Sequence, residues 1–187
     1  MRVSCGVGSS FTRGRRPRVR YAEPTAMTRF NANEVLELAL SIERTGEAFY
    51  RRAEQSVSDQ KVRDTFRTLA LEEVDHERVF RRLLERIGRF DPGDGASEDY
   101  YAYLRAYVDN VVFSQERASE LLDTARDTEA ALRFAMQREQ DAILFYLELK
   151  NLVPVEEHEV IDRILTEERG HFTKLAGLLG EGAREPA

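Results

Sequence analysis

The 187-residue chain has room for one domain of roughly 150 residues plus an extension, and at that size it can bury a core unaided. Apolar residues make up 42%, charged residues 33%, and the formal net charge is −6, against typical apolar and charged shares of about 45–50% and 25%, a balance that points to long solvent-facing helices. A membrane span of roughly 18–20 apolar residues is excluded, as are an intramolecular disulfide, a CxxC redox pair and a cysteine zinc site, since Cys5 stands alone.

Residues 1–26 hold six Arg and one Glu, a charge of +5, which leaves −11 on residues 27–187. The acidic body argues against nucleic acid as a partner. Residues 1–29 read as an Arg-, Ser- and Gly-rich tail with too little apolar content to pack. Met27 reads as the natural start, because MTRFNANEVLELAL runs straight into a helix; the competing reading is an organelle transit segment. No apolar region follows Arg15-Arg16, so a twin-arginine signal is set aside.

Residues 30–180 then read as one helical domain, with 181–187 as a C-terminal tail. The first helix is predicted over 31–55, with Asn31 or Asn33 as N-cap and Glu34 in the first turn. A second is predicted over 58–88, capped by Ser58 and stopped at Gly88. Asp91-Pro92-Gly93-Asp94-Gly95 has the chemistry of a loop. Residues 98–122 read as a helical connector, rich in aromatics, whose Tyr101, Leu104, Val108 and Val112 form an apolar stripe. A third long helix is predicted over 127–152, a break at Val153-Pro154, and a fourth over 155–179, ending at Gly180. Strand-like alternation is absent, so the fold class is all-α. Tight turns join helices one to two and three to four, whereas 38 residues (89–126) separate two from three. That is the ferritin-like four-helix bundle with one long crossover, here containing a short helical connector.

Steps of three and four along each helix give its buried seam. The seams are apolar or small except near their middles, where each carries a carboxylate: Glu43, Glu73, Glu139 and Glu168. In the second and fourth helices His76 and His171 follow three residues later, on the same face. Glu73 and Glu168 are preferred over the adjacent Glu72 and Glu167 because only they lie on the seam, and Glu47, one turn after Glu43, is a weaker candidate.

Four buried carboxylates need neutralising, since an unpaired buried charge costs several kcal/mol. No Lys or Arg falls on the seams. Two divalent cations balance four carboxylates, and two imidazoles add one nitrogen ligand per metal. One Glu from each of two helices plus Glu-x-x-His from each of the others is the arrangement of dinuclear carboxylate bundles. Without cations, mutual repulsion and burial are expected to raise all four carboxyl pKa values.

The pattern also repeats. Phe49-Tyr50 follow Glu43, and Phe145-Tyr146 follow Glu139, six and seven residues on. The spacing from Glu43 to Glu73 is 30 and from Glu139 to Glu168 is 29. Two hairpins related by a pseudo-twofold would present three ligands each.

On the segments IERTGEAFY, LALEEVDHERVF, REQDAILFYLEL and LTEERGHFTKL, residues 30–180 resemble the rubrerythrin-like branch of the ferritin-like superfamily. The resemblance implies a diiron carboxylate centre, oxygen or peroxide chemistry and a homodimer. Two departures stand out. Rubrerythrin carries a rubredoxin domain with four Cys, whereas this sequence has one Cys; and rubrerythrin's extra Glu, one turn after the third-helix ligand, is Ala142 here.

Oxygen and nitrogen ligands without thiolate suit Fe or Mn better than structural zinc. The expected cofactor is two Fe ions (Fe or Mn). Glu73 and Glu168 are expected to bridge, with Glu43 and Glu139 terminal and Tyr50 and Tyr146 beside the ligands. Gly46 and Ala142 flank the site with little bulk. The function expected is a cytoplasmic oxidoreductase of oxidative stress, reducing hydrogen peroxide or dioxygen while oxidising Fe(II) or drawing on an external electron donor. The alternatives are a non-enzymatic iron-storage bundle and, more remotely, an interaction module built on the connector.

Overall fold

A computed structural model of the chain describes residues 32–87, 98–111 and 128–182. Among the described residues there are five α-helices: α1 (Ala32–Ser56), α2 (Gln60–Ile87), α3 (Glu98–Val111), α4 (Thr128–Lys150) and α5 (His158–Gly182). No strand occurs among the described residues, and none of their helices is long and apolar enough to cross a membrane. The expected tail at 1–29, residues 183–187 of the expected 181–187 tail, the Gly88 stop, the 91–95 loop and residues 112–122 of the connector lie outside the described residues.

α1 and α2 form one antiparallel hairpin, α4 and α5 a second. Across hairpins, α1 packs on α4 and α2 on α5. The first turn is three residues long because Asp59, rather than the expected Ser58, caps α2: its Oδ1 accepts the Val62 amide at 2.9 Å. That satisfies one of the donors a helix start leaves unpaired. Asn33 lies inside the first turn of α1 and does not cap it. In the second hairpin Pro154, which cannot donate a backbone bond, separates α4 from a 3₁₀ turn at Val155–Glu157 that leads into α5. α5 passes the expected stop at Gly180 and runs to Gly182.

α3 lies against α4. Tyr100 Oη donates to Glu148 at 2.7 Å, Tyr107 Oη donates to the Asp141 carbonyl, and Leu104 is buried. Leu104 of the predicted connector stripe therefore serves the core; the side chains of Tyr101 and Val108 and all of Val112 lie outside the described residues.

The interior has two apolar clusters. One gathers Leu36, Leu40, Phe80, Leu83, Leu149 and Ile161; the other gathers Phe49, Ala53, Phe66, Leu69, Leu132 and Leu175. Each cluster takes residues from all four long helices, so each fixes the lateral position of every helix. The seam carboxylates and histidines fall between them in sequence on every helix, and so form a polar layer closed above and below by hydrocarbon.

Candidate metal centre

All six predicted ligand residues are buried: Glu43, Glu73, His76, Glu139, Glu168 and His171 are at most 5% exposed. Each sits on a helix whose neighbouring turns are anchored in both apolar clusters, so the layer is positioned by the core on either side. Two overlapping groups result, Glu43, Glu73, His76 and Glu168 in one and Glu73, Glu139, Glu168 and His171 in the other. In each group one ligand atom per residue lies within 4.8 Å of the rest, and Glu73 and Glu168 belong to both.

Glu168 spans the two groups. Its Oε1 is 3.1 Å from His76 Nδ1 and its Oε2 is 3.0 Å from His171 Nδ1. His76 Nδ1 also lies 3.6 Å from Glu43 Oε2, as His171 Nδ1 does from Glu139 Oε2. The two imidazoles stack with centroids 5.6 Å apart. Five buried atoms of the layer, Glu43 Oε2, both Glu168 oxygens and both Nδ1 atoms, make no hydrogen bond among the described residues. Buried polar groups in folded proteins are nearly always satisfied. Oxygen and nitrogen lone pairs orphaned together and converging on common points suit cations, so the residues fit a metal pair.

Hydroxyls tie the outer carboxylates across the pseudo-twofold. Tyr50 Oη of the first hairpin donates to Glu139 of the second, and Tyr146 Oη of the second donates to Glu43 of the first. Both tyrosines therefore touch candidate ligands, and burial beside those carboxylates raises both phenol pKa values well above 10.0. Gly46 is a consequence of close approach: a Cβ there would lie 3.1 Å from Glu73 Cδ.

In the metal-free layer, burial and the Glu43 and Glu168 charges raise Glu73 well above its ordinary value. Burial and Glu168 push Glu139 up to about 8. The expectation that all four carboxyls rise fails at Glu168. Burial alone would raise it, yet the flanking His171 and His76 hold it below its ordinary value. For the imidazoles burial works downward, but Glu168 and Glu43 raise His76 to about 12, and Glu139 and Glu168 raise His171 to about 10. Without metal, the histidines are the cations that sequence reasoning did not place.

Three further residues were missed. Glu72 and Glu167, passed over as off-seam, each reach a histidine of the opposite hairpin: His76 Nε2 is 2.8 Å from Glu167 Oε2 and His171 Nε2 is 3.1 Å from Glu72 Oε2. The repeated Glu-Glu doublet was the available signal. Arg138, next to Glu139, is buried and donates to Thr45 Oγ1 at 3.1 Å. Glu47, the weaker candidate, is outside both groups and pairs with Arg51 at 2.7 Å.

A crystal structure from Thermotoga maritima, described as a ferritin-like diiron-carboxylate protein, superposes with a TM-score of 0.58 at 23% identity, covering 82% of this chain and 97% of that one. At that identity the likeness is one of fold. No curated protein matches the chain in sequence. The family model described as rubrerythrin matches residues 34–179, which include nearly all of both hairpins and every residue of the Glu/His layer. Family and layer together support a dinuclear metal site. The chain belongs to the rubrerythrin family.

Proposed function

We propose that the protein is a non-haem diiron oxidoreductase, reducing hydrogen peroxide or dioxygen with oxidation of Fe(II) or with electrons from an external donor. The observation that carries this reading is the pair of four-residue groups sharing Glu73 and Glu168. Glu43 and His76 would hold one iron, Glu139 and His171 the other, and the two shared carboxylates both. An iron pair can supply two electrons, the number that, with two protons, reduces one hydrogen peroxide to two waters. Oxygen-rich ligation without thiolate favours Fe or Mn over zinc, and only a redox-active metal serves this reaction.

The protein's own groups supply orientation and dryness. Tyr50 and Tyr146 hold the outer carboxylates by their hydroxyl protons. The two apolar clusters keep bulk water from the layer, which strengthens every charge interaction within it. Gly46 lets the Glu73 carboxylate pack directly against α1. The reading places the protein in the cytoplasm, acting in oxidative stress as a homodimer. Exposed Tyr103, Leu144 and Leu147 supply apolar surface for that assembly.

Anaerobic loading with Fe(II) followed by stopped-flow mixing with hydrogen peroxide, then with dioxygen, tests the reading. About two Fe(II) should be oxidised per peroxide, far faster than free Fe(II), because peroxide accepts two electrons and two irons lie in one site. Oxidation no faster than in buffer would overturn it. Light scattering should show twice the chain mass; a cage of many subunits would instead support iron storage.

A further inference from the structure

We infer that a file of aromatic rings carries single electrons between the metal layer and the surface of α3, so that exposed Tyr103 supplies an electron the layer lacks; this rests on the dinuclear reading above. The file starts at Tyr146, whose hydroxyl donates to Glu43. Phe145 meets Tyr146 edge-on with centroids 5.9 Å apart, Tyr107 lies nearly parallel to Phe145 at 6.5 Å, and Tyr103 follows Tyr107 at 6.1 Å. Each step falls within the ~4.5–7 Å range of paired aromatic rings. Tyr146 is fully buried and Tyr103 is 47% exposed, so the file leads from the layer to solvent. The Tyr107 hydroxyl donates to the Asp141 carbonyl, which pins that ring against α4.

The two hairpins share the Phe-Tyr pair but not the file. Tyr50 donates to Glu139 as Tyr146 does to Glu43, yet its ring neighbours are Phe49 and Phe66, with Phe134 beyond Phe49. Among the described residues no ring contact leads from Tyr50 to an exposed phenol. Phenylalanine resists oxidation, whereas a phenol gives up an electron once its proton has somewhere to go. The chain has no Trp, so tyrosine is its one readily oxidised ring. Core packing alone would be served by phenylalanine at 107 and would not extend to a half-exposed ring at 103. A run of phenols that ends in solvent, on the one hairpin that α3 covers, is what an electron route requires.

The route matters when the layer holds a single Fe(II). Hydrogen peroxide needs two electrons, and one is then missing. One peroxide, one Fe(II), one phenol and one further proton give two waters, one Fe(III) and one neutral tyrosyl radical. The O–O bond breaks, and Fe(II) and the phenol are each oxidised by one electron. Tyr146 passes its hydroxyl proton to Glu43 as it loses an electron, and takes the proton back when an electron arrives from Tyr103. Tyr103 releases its own proton to water. A small one-electron reductant of the ascorbate type restores the Tyr103 phenol at the surface by giving it one hydrogen atom.

The test loads the protein anaerobically with one Fe(II) per chain and mixes it with one equivalent of hydrogen peroxide. Freeze-quench electron paramagnetic resonance and mass mapping of oxidised tyrosines provide the readout. Wild type should give a tyrosyl signal that ascorbate removes, with oxidation mapped mainly to Tyr103. Y146F should lose that oxidation although Tyr103 is still present and exposed. Y107L breaks the file at a ring that touches no ligand, and should lose it too. Y50F, which removes the matching hydroxyl from Glu139, should keep it. Y103F loaded with two Fe(II) should still oxidise both per peroxide, since that phenol touches no ligand. Tyr103 oxidation that survived Y146F and Y107L would mean attack by radicals from solution and would overturn the inference. So would the absence of a tyrosyl signal in wild type, or its equal loss in Y50F and Y146F. None of these results bears on the dinuclear reading. Fe(II) oxidised no faster than in buffer would sink that reading, and the inference with it.

Discussion

Gly46 shows how the site constrains a single residue. Alanine is favoured over glycine inside a helix by about 1 kcal/mol, yet a Cβ at this position would press on Glu73 Cδ at 3.1 Å and on its oxygens at 3.3 and 3.4 Å. Gly46→Ala should leave the metal-free protein as stable or up to ~1 kcal/mol more so, while weakening metal binding by displacing a shared ligand. Thermal melts beside a Co(II) titration would check both halves. The seam carboxylates and histidines were legible because burial on a helix follows steps of three and four, and an acid on that register cannot be a surface residue. Glu72 and Glu167 were not. They flank the seam by one position, and what they meet is decided by the distance between α2 and α5, which no single helix encodes. Arg138 escaped for a related reason: its long side chain reaches Thr45 on another helix from an off-seam backbone position.

At the scale of the element, the helices among the described residues followed from periodicity, and their ends did not. Ser58 and Asp59 are both good caps, and only the local backbone decides that Asp59 Oδ1 meets the Val62 amide. Asp59→Ala should cost about 1 kcal/mol of stability, within the range for lost N-caps, whereas Ser58→Ala should cost a few tenths or less; denaturant melts would separate the two. Glycine at 180 failed to stop α5 because glycine only permits a left-handed C-terminal turn and does not impose one. Phe80 anchors the cluster on one side of the Glu/His layer and is fully buried. Phe80→Ala should cost roughly 3–5 kcal/mol, and by loosening α2 just beyond His76 it should weaken metal binding as well.

The whole molecule balances a charged layer against its two apolar clusters, and that balance is pH-dependent. In the metal-free protein the raised carboxyls of Glu73 and Glu139 keep protons that the unfolded chain releases near pH ~4.3. Their contribution is lost as pH climbs through the folded values, about 8 for Glu139. His76 and His171 act in the same direction. Their contribution is complete below about pH 6.5 and is lost as pH rises toward their folded values of about 12 and 10. Glu168 has the opposite sign, but its contribution is lost only as pH falls below the unfolded value of about 4.3. The metal-free protein should therefore melt several degrees lower at pH 8.5 than at pH 5.5. The metal-loaded protein should show the reverse trend, because protons compete with cations for the same atoms. A metal-free melting temperature that rose toward pH 8.5 would mean that the layer is not charged as described.

In the proposed reading, six residues from two hairpins hold two metals between them, with Glu73 and Glu168 serving both. Metal analysis of tag-free protein after anaerobic Fe(II) loading and desalting tests this most directly. Wild type should retain about two Fe per chain, as a dinuclear carboxylate site requires. Glu73→Ala and Glu168→Ala should lose both, and Glu43→Ala chiefly one. A wild type holding a single metal, or a Glu168→Ala protein still holding two, would contradict the account.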